Sequence, residues 1–229
     1  MIHTGVKLAD ILFFDIETVP EFKTLADFQT NGGARYKAWA IRLKEKTEPE
    51  GFEELGLYAE YSKIVCISVG VLGSKKGLRI KSFIGAEGTI LENFNAMLAG
   101  LPPRISFYSG HNIKDFDIPF IIKRCSINGA EIPRFCQIYG RKPWELGHIL
   151  DTMEIWKCGA YRGGISLEVL AAVFNLPNPK EHTEELSVHE LYKSEGGIGK
   201  VVMYCEDDVL TQANVYACIT GQEIIKREK

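Results

Sequence analysis

Two acidic residues lie two positions apart at the end of an apolar segment near the amino terminus. In ADILFFDIET, Asp15 and Glu17 continue the alternation begun by Ile11 and Phe13. The aromatic and β-branched content predicts a strand over Ala9–Thr18, which points these four side chains to one face. Two unpaired carboxylates on a buried face cost on the order of several kcal/mol each. A divalent cation with hard oxygen ligands would compensate; alternatively, the strand ends by Asp15 and both acids are solvated.

A further acid lies where a predicted strand gives way to a predicted helix. Asp117 in SGHNIKDFDIPF follows the strand expected at Arg104–Ser109 and opens the helix expected at Phe116–Ser126. Aspartate is a favoured residue at a helix N-cap, and Asp115 is a second candidate for that role. This stretch therefore does not single out a functional acid by itself.

The last helix carries a tyrosine and three consecutive acids in MYCEDDVL. Tyr204 and Asp208 are four residues apart and stack on one helical face. Glu206, Asp207 and Asp208 spread over about 200° of the helix, so at most one or two can share a site with Tyr204. Asp208 has the right phase, and we expect Glu206 and Asp207 to be solvated. The alternative is an exposed acidic patch.

The elements that would position these residues are strands followed by helices. The apolar run Ile64–Leu72 predicts a central strand covered on both faces, and Leu78–Ile84 predicts the next strand. The charged stretch 30–60 predicts an exposed helical or loop insertion. This order predicts an α/β fold with a mixed central sheet flanked by helices. Further helices are expected at Thr89–Leu98, Asp151–Trp156, Ser166–Phe174 and about 200–225, with an irregular stretch at 175–183.

Composition limits the classes of protein that fit. The 229 residues suit one domain with an insertion around 30–60, and the net charge of −3 argues against nonspecific binding along a duplex. Six cysteines without a CxxC pair predict reduced, mostly buried thiols. The absence of a secretory signal and of a membrane-length apolar run predicts a cytoplasmic protein.

In this order and spacing, the three motifs resemble those of the DEDD superfamily of 3′-5′ exonucleases. The second motif is most similar to the Asn-x-x-x-Phe-Asp pattern in exonuclease domains of family B DNA polymerases. The histidine branch carries His where this chain has Met203, so the resemblance is to the tyrosine branch, DEDDy. It extends from about Asp10 to Val215 and implies a standalone bacterial relative, since 229 residues leave no room for a polymerase domain. The matching residues are Asp15 and Glu17, then Asn112, Phe116 and Asp117, then Tyr204 and Asp208.

The resemblance implies a single ribonuclease-H-like domain over 1–229 that binds two Mg²⁺ or Mn²⁺ ions. Asp15 would bridge the ions, Glu17 and Asp208 would complete the site for the attacking water, and Asp117 would hold the second ion directly or through water. The Tyr204 hydroxyl would orient that water, unless it is a core tyrosine.

The expected substrate is a nucleic acid with a 3′ end, single-stranded, hydrolysed to nucleoside monophosphates. Thr18, Asn112 and Phe116 are the candidate substrate contacts, although Phe116 equally fits a core position. Candidate phosphate contacts, each of which could also be plain surface charge, are Lys114, Arg141, Lys142, Lys157 and Arg162.

The histidines do not predict a second metal site, and the sequence does not determine the kind of nucleic acid that is bound. His111, His148, His182 and His189 lack metal-ligand spacing, and Asp151 is expected to be a helix N-cap. Residues 181–197 depart from the basic, glycine-containing segment of the resembled family, which puts substrate preference in doubt. DNA and RNA remain equally open. The competing functions are an inactive nucleic-acid-binding module of the same fold and an unrelated metal-binding α/β domain.

Overall fold

A five-stranded mixed sheet forms the centre of the fold. The computed structural model describes residues 5–42, 48–74, 77–178 and 186–228. Within them the strands are β1 (Ile11–Pro20), β2 (Ser62–Leu72), β3 (Leu78–Ile84), β4 (Phe107–Gly110) and β5 (Ile149–Asp151). Their order is β3-β2-β1-β4-β5, with β1–β2 and β2–β3 antiparallel and β1–β4 and β4–β5 parallel. The strand that carries the first two acids is therefore central.

Helices cover both faces of this sheet. The side chains of Leu12, Phe14 and Ile16 join the core formed with the fourth and fifth helices, whereas Ile11 and Phe13 pack against the last helix. The alternation of β1 thus separates two cores. The helices are α1 (Leu25–Asn31), α2 (Ala34–Arg42), α3 (Glu48–Glu53), α4 (Glu87–Ala99), α5 (Asp117–Asn128), α6 (Thr152–Lys157), α7 (Leu167–Val173), α8 (Val188–Lys193) and α9 (Gly197–Thr220).

Most predicted elements lie within a few residues of their expected positions. The prediction for β3 matches its bounds, β2 is buried over most of its length, and β1 lies two residues later than expected. The fifth helix ends as expected at Gly129, whose φ of 66° is the left-handed conformation that glycine accepts readily. The prediction missed β5, which has only three residues. Part of the predicted irregular stretch, 179–183, lies outside the described residues.

The charged insertion is helical, as predicted, but it is not simply exposed. Helices α1 to α3 enclose a small aromatic core in which Phe28 is fully buried and Trp39 is 5% exposed. The prediction missed this core because the aromatic residues are widely spaced among charged ones. Residues 43–47 of the insertion lie outside the described ranges. The other buried members of the cluster are Phe22, Phe52, Leu55 and Tyr61.

Two further sequence predictions concern cysteines and membranes. All six cysteines fall within the described ranges and are free thiols, and four of them are buried, as predicted. Among the described helices, none combines the length and apolar character needed to cross a membrane.

Candidate active site

The carboxylates of β1 lie on the face that α9 covers. Ile11 and Phe13 pack against Val209 of α9, and the same face continues to Asp15 and Glu17. Glu17 is 6% exposed and Asp15 is partly exposed. The strand therefore does not end before these acids, and the solvated alternative is wrong for Glu17.

Asp117 reaches β1 from the start of α5. Pairing between β4 and β1 ends at Phe13, and farther along this edge the N–H of Ile16 donates to Asp117 Oδ1 at 3.1 Å. Asp117 is 2% exposed and is the first residue of the helix, while Phe116 occupies the N-cap position. The helix-cap interpretation of Asp117 is therefore wrong: its carboxylate lies against the backbone between Asp15 and Glu17.

Helix α9 presents three polar side chains on successive turns towards β1. Tyr204, Asp208 and Gln212 are spaced four residues apart, so they share one face. Gln212 is fully buried, and its Nε2 donates to the carbonyl of Phe14 at 2.9 Å. This bond fixes α9 beside the residue that precedes Asp15, which brings Tyr204 and Asp208 towards the acids of β1.

The electrostatics show that four carboxylates converge. Burial raises the pKa of Asp15 well above its ordinary value, and the charges of Asp117, Glu17 and Asp208 raise it further. Burial raises the pKa of Asp117 to about 8; hydrogen bonds from backbone N–H groups oppose that rise, and the charges of Asp151 and Asp208 add to it. Such mutual repulsion in a poorly solvated site is relieved by cations.

Tyr204 lies in the same electrostatic neighbourhood. Burial raises the pKa of its hydroxyl far above the ordinary value, and the charges of Asp208, Glu17 and Asp15 add to the effect. The hydroxyl therefore stays protonated and can act as a hydrogen-bond donor beside the carboxylates. All five residues predicted to be catalytic are brought together.

The carboxylate set fits hard divalent cations. Mg²⁺ and Mn²⁺ prefer carboxylate oxygens, and four such groups from β1, α5 and α9 lie close enough here for the charges of the other three to act on Asp15. The raised pKa values of Asp15 and Asp117 are what a site built for positive charge would show when only protons can neutralise it.

The three predicted substrate contacts have structural partners of their own. The Thr18 hydroxyl donates to the carbonyl of Gly56 at 2.7 Å. Asn112 has a φ of 62°, and its N–H donates to Asp151 Oδ1 at 3.0 Å. Phe116 is half-buried against the core under α4 and α5, which favours the core interpretation. Contact of these residues with substrate stays a prediction.

Asp151 does more than the predicted N-cap. Its carboxylate accepts from the N–H groups of Met153 and Glu154 in α6, which confirms the cap. It also accepts from the N–H groups of Asn112 and Lys114, at 3.0 and 3.1 Å. The same buried side chain thus fixes the loop between β4 and α5 that leads to Asp117. Sequence spacing gave no signal for this role, because the partners are about 40 residues away.

The expectation that Glu206 is solvated is wrong. Its carboxylate accepts a hydrogen bond from the Ser82 hydroxyl at 2.6 Å and pairs with Arg227. These partners come from β3 and the carboxyl-terminal segment, which helical spacing alone cannot reveal. Asp207 is partly exposed.

Several polar residues singled out in the sequence lie beside the site or on the surface. His111 is bonded at both ring nitrogens, to the Thr152 hydroxyl and the Ile165 carbonyl, so it holds the loop after β4. Lys114 pairs with Glu154 at 2.6 Å. Two of the remaining candidate phosphate contacts have neighbours of their own: Arg141 lies 3.9 Å from Glu145, and Lys142 lies over the Trp144 ring. The other two are Lys157, which is partly exposed, and Arg162, which is exposed.

The family model for a predicted 3′-5′ exonuclease related to the exonuclease domain of PolB matches residues 57–222. The chain belongs to this family. The matched residues of this chain include Asp117, Tyr204 and Asp208, while Asp15 and Glu17 precede them. Family membership excludes the unrelated α/β domain considered from the sequence.

The fold of this chain is also found in a much larger protein. A family B DNA polymerase from the hyperthermophilic archaeon Pyrobaculum calidifontis matches with a TM-score of 0.54 and 15% identity. The match covers 90% of this chain and 24% of the polymerase, so the chain spans about a quarter of that protein. The predicted ribonuclease-H-like fold is confirmed. Comparison with curated protein sequences finds no significant match.

Proposed function

We propose that this protein is a metal-dependent 3′-5′ exonuclease of the DEDDy type. It would hydrolyse phosphodiester bonds and release nucleoside monophosphates. The observation that carries the proposal is the convergence of Asp15, Glu17, Asp117 and Asp208 from β1, α5 and α9. Family membership supports the polarity of the reaction.

The four carboxylates would hold two Mg²⁺ or Mn²⁺ ions. Asp15 lies among all the other acids and is suited to bridge the ions, Glu17 and Asp208 flank it, and Asp117 approaches from α5. When bound, two such ions supply an activated water and stabilise the charge that develops on the leaving oxygen. The protein would contribute a partly closed and poorly solvated site in which the phosphate would bind.

The Tyr204 hydroxyl would orient the attacking water. The raised pKa of the Tyr204 hydroxyl keeps it protonated, and the nearby charges of Asp208, Glu17 and Asp15 contribute to that rise. A neutral donor at this position can bind a water or phosphate oxygen without adding negative charge to the site.

The proposed substrate is a single strand with a free 3′ end. The net charge of −3 does not favour tight binding along a duplex. The strand would be bound by Asn112 and by the basic residues near α6, where Lys157 and Arg162 lie.

A digestion panel tests the proposal. Single- and double-stranded DNA and RNA, labelled at either end, would be incubated with Mg²⁺ or Mn²⁺ and then with EDTA. We expect stepwise release of mononucleotides from the 3′ end, abolished by EDTA. Activity that persists in EDTA, internal cuts or release from the 5′ end would contradict the proposal.

Variants separate catalysis from binding. We expect Asp15→Ala to abolish cleavage, by at least about a hundredfold, because several kcal/mol of transition-state stabilisation depend on the ions that it holds. The matched control is Asp115→Ala, which removes an exposed acid of the same loop as Asp117. Strand binding without cleavage by the wild type in either metal would instead identify an inactive binding module.

A further inference from the structure

A cysteine lies inside the carboxylate cluster and has no part in the proposed hydrolysis. The buried thiol of Cys205 donates to Asp15 Oδ2 at 3.4 Å and to the Asp15 carbonyl at 3.5 Å. One ligand atom each from Asp15, Glu17 and Cys205 lies within 4.8 Å of the others. The three side chains therefore form a mixed sulfur and oxygen donor set.

A second thiol supports the first. Cys66 on β2 is the cross-strand partner of Glu17, so both side chains point to the face covered by α9. The Cys205 thiol hydrogen-bonds Cys66, and Cys66 Sγ also lies 3.6 Å from Ser68 Oγ. Cys205 is thus held in place on two sides, by Asp15 and by Cys66.

This donor set differs in chemistry from the four carboxylates. Oxygen ligands alone suit Mg²⁺ and Mn²⁺, whereas a thiolate favours softer cations such as Zn²⁺ and Cd²⁺. Zinc sites combine cysteine sulfur with carboxylate oxygen, and three protein ligands leave a fourth position open to water. The Cys205 sulfur lies 3.4 Å from Asp15 Oδ2, where a cation held by both atoms would take the place of the thiol proton.

We propose that Asp15, Glu17 and Cys205 form a site for a thiophilic divalent cation, Zn²⁺, that overlaps the Mg²⁺ or Mn²⁺ site and inhibits it. Binding would release the Cys205 thiol proton to solvent and form a metal–sulfur bond. Because Asp15 and Glu17 would serve both sites, the two kinds of cation would compete. The inhibition rests on the proposed exonuclease function; the binding of the cation does not.

Cadmium binding tests the site without using activity. Metal-stripped protein would be titrated with Cd²⁺ while the ultraviolet thiolate-to-metal charge-transfer absorption is followed. We expect a saturable band for the wild type and for Cys158→Ser, which removes an exposed thiol outside the cluster. For Cys205→Ser we expect loss of the band or affinity weaker by about tenfold or more. No band in the wild type, or the same titration for Cys205→Ser, would overturn the proposal.

Two further measurements keep the test decisive. Circular dichroism would show whether Cys205→Ser folds; if it does not, Glu17→Gln replaces it, because that variant keeps the thiol and removes an oxygen ligand. We then expect the band to persist at higher Cd²⁺, with affinity about tenfold weaker. An unchanged affinity in Glu17→Gln would overturn the three-ligand site.

Activity separates this inference from the exonuclease proposal. With Mg²⁺ present, we expect added Zn²⁺ to inhibit cleavage and more Mg²⁺ to relieve it. A charge-transfer band in a protein that cleaves no strand would sink the exonuclease proposal and leave the cation site standing. Metal-dependent cleavage by a protein that shows no charge-transfer band would overturn the cation site and leave the exonuclease proposal standing.

Discussion

The Tyr204 hydroxyl is a neutral group held among charges. Its protonated state follows from burial and from the nearby charges of Asp208, Glu17 and Asp15. A hydrogen bond to a charged or developing charge contributes about 1.5–3 kcal/mol. For Tyr204→Phe we therefore expect kcat to fall by about tenfold to a hundredfold with KM nearly unchanged. Single-turnover kinetics on a labelled strand would measure the fall in the rate of cleavage.

The control for this variant is another half-buried helix tyrosine. Tyr192→Phe in α8 removes a hydroxyl from a side chain that packs on the apolar cluster of Leu191 and Val201 and is not among the predicted catalytic residues, so its turnover should equal that of the wild type. Full turnover by Tyr204→Phe would leave Tyr204 as a packing residue only.

At this scale, local spacing was enough to predict which residues the fold brings together, whereas contacts between distant residues were not predicted. The period of two in β1 and the four-residue spacing of Tyr204 and Asp208 depend only on strand and helix geometry. The roles of Asp151, Glu206 and Cys205 depend on partners from other elements. No periodicity in the sequence encodes such pairings, so they became visible only with the fold.

Among the elements, α5 is tied to its neighbours by one buried arginine. Arg124 is 3% exposed, donates to both carboxylate oxygens of Glu87 at 2.8 and 2.6 Å, and donates to the Ala59 carbonyl at 2.8 Å. Its Nη2 also lies 2.8 Å from Glu21, just after β1. Removing one member of a buried ionic group leaves uncompensated charge.

For Arg124→Ala we expect the free energy of unfolding to fall by about 3–5 kcal/mol. Chemical denaturation followed by circular dichroism would measure it. The control is the adjacent Lys123→Ala, which breaks only an exposed pair with Glu60 and should cost less than about 1 kcal/mol. Equal effects of the two variants would contradict the structural role of Arg124.

The junction of β5, α6 and the β4–α5 loop depends on Asp151. For Asp151→Ala we expect a loss of about 1–3 kcal/mol of stability, because buried N–H groups lose their acceptor. Turnover should fall as well, since the loop that leads to Asp117 loosens. Glu154→Ala is the control, as it removes only the exposed pair with Lys114. Stability and turnover would be measured on the same samples. If Asp151→Ala turned over as fast as Glu154→Ala, the loop would not contribute to catalysis.

The helical prediction at this junction was correct in part. The spacing of Asp151–Trp156 predicted α6 and its cap, while the three residues of β5 were too few to show an alternating pattern. The parallel pairing of β5 with β4 also requires the rest of the sheet. Short edge strands of this kind are set by tertiary contacts and cannot be read from local propensity.

Across the whole molecule, the candidate site joins elements that are far apart in the sequence. Residues 15 and 17 lie on the first strand, and residues 204 and 208 lie on the last helix. The cluster therefore assembles only when the sheet and α9 have docked. Because its carboxylates repel one another, the metal-free site opposes this docking and its occupation by cations favours it.

Because the carboxylates repel one another, the stability of the metal-free protein depends on pH, and bound metal acts in the opposite direction. The folded-state pKa of Asp117, about 8, lies above its ordinary value of 3.8. Between these values the folded chain holds a proton that the unfolded chain releases, so metal-free stability falls as pH rises from about 4 to about 8. Each pH unit between 3.8 and about 8 corresponds to about 1.4 kcal/mol, so we expect a loss on the order of 6 kcal/mol over the whole range.

Thermal unfolding at pH 5.5 and pH 8, in EDTA and in Mn²⁺, would measure this effect. We expect Mn²⁺ to raise the melting temperature more at pH 8 than at pH 5.5, because the carboxylates must be deprotonated to bind it. Asp15→Asn removes one of the repelling charges, so in EDTA it should be more stable than the wild type at pH 8 and should lose less stability between the two pH values. The exposed control Asp115→Asn should behave as the wild type does. If the wild type in EDTA were equally stable at both pH values while Asp15→Asn changed nothing, the four carboxylates would not be repelling one another in the folded protein.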